Sequence, residues 1–277
     1  MSKTWLITGT SSGLGLLLAT RALARGDRVF ATLRKPQALD ELFERYPQQL
    51  HRLELDLTDT SAVRRVVNEA FEQSERIDIV VSNAGYGLVG AAEELSDEQI
   101  DRQLATNLTG SIQLIRAVLP HLRRQNGGRI VQVSSEGGQI AYSGFSLYHA
   151  SKWGIEGFVE AVAHEVAGFN IDFILAEPGP TETRFASGID YAVKSPEYAD
   201  TPAHEVRAAL ESESFPMTGD PQRTVDALIR AIDAQNPPFR LALGSTAYRN
   251  IHAALNRRLQ ELELHKQETV SADKVSG

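Results

Sequence analysis

Tyr148 and Lys152 close the segment Ser135–Lys152, SEGGQIAYSGFSLYHASK, four residues apart. On a helix that spacing stacks a phenol and an ammonium on one face. A phenol in water titrates near ~10, too high for efficient proton exchange at neutral pH. A neighbouring positive charge favours the phenolate, so Lys152 is expected to lower the Tyr148 pKa. Ser135 stands thirteen residues before Tyr148 (148 − 135 = 13) and ends the run GRIVQVSS, which reads as a buried strand. A hydroxyl at that strand end can donate a hydrogen bond to a carbonyl oxygen while Tyr148 supplies a proton. Y-x-x-x-K alone also fits a solvated helix face, so the chemistry needs further elements that bring a second reactant to this place.

The amino-terminal segment supplies one. Thr4–Thr8 is a short apolar strand, and Thr8-Gly9-Thr10-Ser11-Ser12-Gly13-Leu14-Gly15 follows it directly. The next residues, LGLLLATRALARG, have helical apolar spacing and stop at Gly26. Strand, glycine turn and helix in that order are the context of a dinucleotide fingerprint. Glycine lets the backbone approach a pyrophosphate, and the helix amino terminus offers it free N–H groups. A second strand, Arg28–Leu33, ends in Leu33-Arg34-Lys35 without an Asp or Glu. A carboxylate there would hold ribose hydroxyls and mark NAD; a basic residue accommodates a 2′-phosphate. Arg34 therefore favours NADP(H) over NAD(H), its guanidinium fork matching a phosphate.

Further elements follow the same rhythm. Arg52–Leu57 reads as a third strand with Asp56 and Leu57 at its end, and Asp59 or Thr60 caps a helix over about Ser61–Gln73. Ile77–Ser82 is a continuous apolar strand followed by Asn83-Ala84-Gly85, small residues where a backbone can lie flat against a ligand. Ser96–Arg124 is helical, with Pro120 near its end and Asn107-Leu108-Thr109-Gly110 inside. A mid-helix Asn followed by Gly suits a helix poorly and predicts a local irregularity. After the Tyr148 helix come a strand at Asn170–Ala176 and a rigid turn, Glu177-Pro178-Gly179-Pro180-Thr181-Glu182-Thr183. Residues 185–217 lose clean periodicity, with short helical pieces between prolines and a glycine, and read as a helical substrate lid. Asp220-Pro221 opens a helix to Ala234, Phe239–Leu243 is the last strand, and Ala247–Leu264 the last amphipathic helix. Residues 1–265 make one domain, and the polar stretch 266–277 is expected to be a disordered tail.

The seven strands alternate with helices, which predicts an α/β fold with a doubly wound, seven-stranded parallel sheet, a Rossmann fold. The glycine turn, Asn83, Ser135 and Pro178 all follow strand carboxyl ends, the edge where such sheets bind ligands.

Bulk properties narrow the class. The chain has 277 residues, 42% hydrophobic and 23% charged, with a net charge of −8. The charge disfavours nucleic acid as a partner. No apolar run is long enough to span a bilayer, and MSKTWLITG enters a strand at once, so neither a signal peptide nor a membrane is expected and a cytoplasmic location is. Cysteine is absent, and the seven histidines show no ligand spacing, so no metal is expected.

In order and spacing, Thr8-Gly9-x-x-x-Gly13-x-Gly15, Asp56, Asn83-Ala84-Gly85, Asn107, Ser135, Tyr148-x-x-x-Lys152 and Pro178-Gly179 resemble the short-chain dehydrogenase/reductases of the single-domain subfamily. The resemblance runs motif by motif over about residues 4–185. It implies that Tyr148 is the general acid in reduction and the base in oxidation, and that Lys152 lowers its pKa and holds the nicotinamide ribose. It implies that Ser135 orients the carbonyl or alcohol and that Asn107 supports a water relay toward Lys152. Gly9, Ser11, Ser12, Gly13, Leu14 and Gly15 would line the phosphates and adenosine, Asp56 and Leu57 the adenine. Asn83, Ala84 and Gly85 would face the cofactor at the central strands, and Pro178, Gly179, Thr181 and Thr183 the carboxamide and phosphate. Many NADP-using relatives carry a basic residue where this chain has Ser12, which leaves the 2′-phosphate to Arg34, with Ser12 or Lys35.

Ala31-Thr32-Leu33-Arg34 and Thr8-Gly9-x-Ser11-Ser12-Gly13 are similar to NADP-preferring hydroxysteroid and retinol dehydrogenases. The expected substrate is an apolar ketone or secondary alcohol, met by Tyr142, Phe145, His149 and Phe185. Family resemblance further implies a homodimer or homotetramer built on the helices around Ser96–Arg124 and Tyr148–Gly168. The competing reading, a redox-sensing regulator that binds NADP without turnover, is disfavoured because such proteins usually lose the tyrosine or lysine kept here.

Overall fold

A computed structural model of the chain describes residues 2–274. Seven strands form one parallel sheet: β1 (Thr4–Thr8), β2 (Arg28–Leu33), β3 (Leu50–Glu54), β4 (Ile79–Ser82), β6 (Gly128–Val133), β7 (Ile171–Pro178) and β9 (Arg240–Leu243), in the order β3-β2-β1-β4-β6-β7-β9. Two further short strands, β5 (Leu88–Val89) and β8 (Asp190–Tyr191), pair with each other.

Alternation along each strand explains the layers. Leu6 lies opposite Phe30 and Val80, and all three enter one core with Ile130 and Leu175. Their neighbours Ile7, Ala31, Val81, Val131 and Ile174 point to the opposite face and form the second core. Both faces of a parallel sheet need helices, because each crossover returns over the sheet. The first core takes its cover from α3 (Thr60–Glu72), α5 (Gly110–Arg124) and α6 (Ser146–Glu165), the second from α1 (Gly13–Ala24) and α8 (Pro221–Asp233). The chain leaves β1 toward β2 and β3 on one side, then crosses to β4 on the other. The strand order reverses between β1 and β4, which opens a crevice at their carboxyl ends.

Local chemistry sets the element ends. Asp59 caps α3 by accepting from the Ser61 and Ala62 N–H groups, and Asp220 caps α8 by accepting from Arg223 N, with Pro221 in the first turn. The remaining helices are α2 (Asp40–Arg45), α4 (Asp97–Leu104), α7 (Pro202–Glu211), α9 (Ser245–Leu264) and α10 (Lys266–Ser271).

Four expectations need adjusting. The third strand begins at Leu50 and ends at Glu54, not over Arg52–Leu57; after Leu55 the chain turns, with Asp56 accepting from Thr58 N and Oγ1. The strand after the Tyr148 helix extends two residues further than Ala176, to Pro178. Residues 185–217 contain a helix, α7, in keeping with the short helical pieces expected there, but also the strand β8, which was not expected. Part of the stretch expected to be disordered is the helix α10, while 275–277 lie outside the described residues. The irregularity predicted at Asn107 is present as a π-helical turn, Ala105–Thr109, between α4 and α5. Among the described residues no helix is long and apolar enough to cross a membrane, and no cluster of three metal-ligating side chains occurs.

Candidate active site

A cleft of about 830 Å³ opens over the carboxyl ends of the central strands. Gly9, Ser11, Ser12, Gly13 and Leu14 line one end of it. Gly9 has φ +70°, and a Cβ there would lie 2.7 Å from the Ala84 Cα, so only glycine lets this turn close against the end of β4. Asn83 fastens the two together, its Nδ2 donating to Thr8 O at 2.9 Å and Gly9 O at 3.2 Å. Gly15 is not on the cleft wall. A Cβ on it would lie 2.4 Å from Gly9 O, so it packs beneath the turn rather than against a ligand. Ser12 is the N-cap of α1 without a side-chain cap bond, and the first turn carries no acid. That leaves helix N–H groups and the positive dipole end facing the cleft, a donor set that fits a pyrophosphate.

Arg34 is exposed at the rim, where β2 ends, and Asp56, Leu57, Ala84 and Gly85 complete this half of the wall. The Asp56 carboxyl is held below the usual carboxylate range, chiefly by the Thr58 N–H, with the Arg34 charge adding to it. The basic edge therefore belongs to the same rim as Asp56.

The other half is built by β6, β7 and α6. Since α6 begins at Ser146, Tyr148 and Lys152 fall in its first two turns, and both are buried, with 8% and 6% exposure. Lys152 Nζ donates to Val133 O at 3.1 Å and lies 5.6 Å from the centre of the Tyr148 ring. Ser135 Oγ donates to Pro178 O at 3.5 Å and accepts from Gly137 N at 3.1 Å, which fixes it between β6 and β7. Pro178, Gly179, Thr181 and Thr183 all border the cleft here.

The expected direction of the tyrosine shift is reversed. Burial pushes the Tyr148 phenol up to about 12, with the neighbouring Ser135 hydroxyl pulling the other way and the Glu136 charge adding to the rise. Burial likewise pushes the Lys152 ammonium down to about 8, opposed by Glu156. Proximity in sequence told only of Coulomb attraction, whereas both groups leave water, which penalises charge on each.

Asn107 is buried in the π turn and does not reach the cleft wall with its side chain. Its Oδ1 accepts from Tyr86 N at 3.1 Å and its Nδ2 donates to Tyr86 O at 2.9 Å. The side chain thus holds the segment after Gly85 in place.

Tyr142, Phe145, His149 and Phe185 do border the cleft, but in different ways. Phe145 and Phe185 meet the Tyr148 ring edge-on, at 5.9 Å and 5.7 Å between centres. His149 has both ring nitrogens committed: Nδ1 donates to Gly137 O at 2.9 Å, and Nε2 accepts from Tyr142 N at 2.8 Å. That tautomer is neutral, and burial lowers its pKa. The unfolded chain takes up this proton first as pH falls through ~6.5, so the stability contributed by neutral His149 is complete above that pH and is lost below it. Between pH 7 and 5 the melting temperature of the wild type should therefore fall more steeply than that of His149→Gln. Parallel curves would mean that His149 does not titrate in this window.

Sequence reading missed several wall residues. Ile189, Leu210, Phe215 and Met217 come from segment 185–217 and give it an apolar surface. Glu136, 2% exposed, follows Ser135; its carboxylate accepts from the Tyr142 hydroxyl and, at 3.1 Å, from Asn250 Nδ2 of α9. Burial raises its pKa.

Comparison with known proteins identifies the family and the fold. A family model described as short chain dehydrogenase matches residues 3–193. A 3-ketodihydrosphingosine reductase of Bacteroides thetaiotaomicron is 33% identical over 244 residues, covering 86% of this chain and 87% of its own. Retinol dehydrogenase 8 of Bos taurus is 34% identical over 253 residues, covering 86% and 80%. The crystal structure of a short-chain dehydrogenase from Streptomyces avermitilis superposes with a TM-score of 0.91, at 34% identity and 98% coverage of both chains.

Proposed function

The chain belongs to the short-chain dehydrogenase family, and from that premise we propose that it transfers a hydride between NADP(H) and an apolar ketone or secondary alcohol, with Tyr148 as the acid–base group. The observation that carries this reading is the convergence of half-buried Ser135 with buried Tyr148 and Lys152 along one wall of a cleft whose other end is an uncapped helix terminus with Arg34 at its rim. A regulator that only bound the nucleotide would have no need of the first group.

Bound NADPH supplies the hydride; the protein supplies position and protons. The glycine turn and α1 would hold the pyrophosphate, Arg34 the 2′-phosphate, and Lys152 the nicotinamide ribose. In reduction, negative charge grows on the substrate oxygen. Ser135 Oγ, on leaving its long contact with Pro178 O, and Tyr148 Oη can donate to it, and Tyr148 gives up its proton as the alcohol forms. Burial pushes the Tyr148 phenol up to about 12, so it enters the reaction protonated, and the transfer depends on a neighbouring charge that stabilises the phenolate as it forms. The Lys152 charge then stabilises the phenolate left behind. Oxidation runs the same steps in reverse.

The substrate reading rests on the wall. Phe145 and Phe185 meet the Tyr148 ring, Ile189 and Leu210 pack in the same apolar cluster, and Phe215 and Met217 line the same cleft. The two relatives above are named for 3-ketodihydrosphingosine and retinol, both largely hydrocarbon. Ketones of increasing alkyl length, assayed with NADPH, should show kcat/KM rising by roughly 3- to 4-fold per added methylene, from the ~0.8 kcal/mol gained on burying each. A panel in which short polar carbonyls are preferred would overturn the apolar assignment.

A further inference from the structure

Behind the catalytic wall lies a buried ionic group that no step above uses. Glu156 follows Lys152 by one helical turn (156 − 152 = 4), on the same face of α6, and is 3% exposed. One carboxylate oxygen accepts from Ser134 Oγ, the other from Arg240 Nη1 of β9. The same Arg240 nitrogen donates to Glu177 Oε1 at 2.9 Å, and Nη2 donates to Glu160 Oε2 at 2.9 Å. Glu177, 1% exposed, accepts from Gln139 Nε2 at 2.7 Å. Ser134 precedes Ser135, and Glu177 precedes Pro178, whose carbonyl accepts the Ser135 hydroxyl. A Cβ on Gly138 would lie 1.8 Å from Glu156 Oε1, so the carboxylate is packed directly against the loop that carries Ser135.

Glu156, Glu177 and Arg240 do not border the cleft, so they touch neither substrate nor cofactor. We propose that Glu156 and Arg240 are a pair of positioning residues that sets the charge on Lys152, and through it the proton affinity of Tyr148, from behind the site. This rests on the reading of Tyr148 and Lys152 given above.

The reasoning is electrostatic. A buried ammonium with no anion near it releases its proton. Lys152 receives one hydrogen-bond partner, the neutral Val133 carbonyl, so its charge depends on nearby anions. Glu156 supplies one from its own helix; Glu136, from the loop after β6, faces Tyr148. Glu177 on β7 and the half-exposed Glu160 sit further back, each bonded to Arg240. Arg240 on β9 offsets these carboxylates, so it limits how strongly Glu156 holds the Lys152 proton. Glu156→Gln keeps an acceptor and the packing but removes the charge, and should lower the Lys152 pKa. Arg240→Gln uncovers the carboxylates and should raise it.

The test measures the Lys152 pKa directly, by NMR of the 15Nζ-labelled protein, with the Lys152→Arg spectrum identifying the signal. Expected is a fall of about one pH unit in Glu156→Gln and a rise in Arg240→Gln. The alkaline limb of the pH–kcat profile should move the same two ways. An unmoved Lys152 signal in Glu156→Gln, or shifts of one sign in both variants, would overturn the proposal. If Arg240→Gln does not fold, Arg240→Lys, which keeps the charge, must leave the signal near its wild-type position. The NMR result stands whether or not the protein turns over, so its failure is distinct from a failure of the hydride-transfer reading, which shows as inactivity of the wild type.

Discussion

Tyr148→Phe should lower kcat by about 10³-fold, the middle of the range for losing a positioned general acid. The ring stays, so its edge contacts with Phe145 and Phe185 stay with it. Only the hydroxyl is lost, and with it the proton that the product oxygen needs. NADPH affinity should change little, because the turn at Gly9–Leu14, the rim at Arg34 and Lys152 are all left in place. Steady-state kinetics together with a fluorescence titration separate the two effects. Activity within a few-fold of wild type would remove Tyr148 from the acid–base role. A large loss of NADPH affinity would make the residue a binding group first.

Arg34→Asp should have the second largest effect, on cofactor choice rather than on chemistry. A guanidinium–phosphate bond is charge-assisted, and its loss at an exposed rim should raise the KM for NADPH roughly tenfold or more. The new carboxylate repels the 2′-phosphate and can accept from ribose hydroxyls, so NADH should be used better than by the wild type. The ratio of kcat/KM for the two cofactors reads both changes at once. An unchanged ratio would place the 2′-phosphate on other groups, Ser12 of the glycine turn or Lys35 beside Arg34.

Much of the scaffold was legible because its signals are local. Continuous apolar runs such as Trp5-Leu6-Ile7 and Val29-Phe30-Ala31 belong to strands covered on both faces, and they are strands here. Asp220-Pro221 and Asn107-x-x-Gly110 marked a helix start and a helix fault from residue preferences alone. The third strand was misplaced because Leu53, Leu55 and Leu57 alternate without a break, yet the last two are buried beyond the sheet edge. Burial there comes from helix packing, which alternation cannot distinguish from pairing.

The site was legible as a set of residue types, less so as chemistry. Tyr148, Lys152 and Ser135 converge on one wall, but the sign of the tyrosine shift was not legible, since burial arises only in the folded chain. Glu136, Glu156 and Glu177 were passed over because acids look alike in sequence, whether they face water or a core. Only the partners distinguish them: Tyr142 and Asn250 for the first, and Arg240, arriving from β9, for the others.

The most direct measurement of the central claim is made in one cuvette. Purified protein is titrated with NADPH and, separately, with NADH, followed by nicotinamide fluorescence, and an alkyl ketone is then added to the complex. Tighter binding of NADPH, followed by ketone-dependent loss of the signal, is the predicted result. A complex that forms but keeps its fluorescence with every ketone, and that does not reduce NADP⁺ with any alcohol, would contradict it and leave a nucleotide-binding regulator in its place.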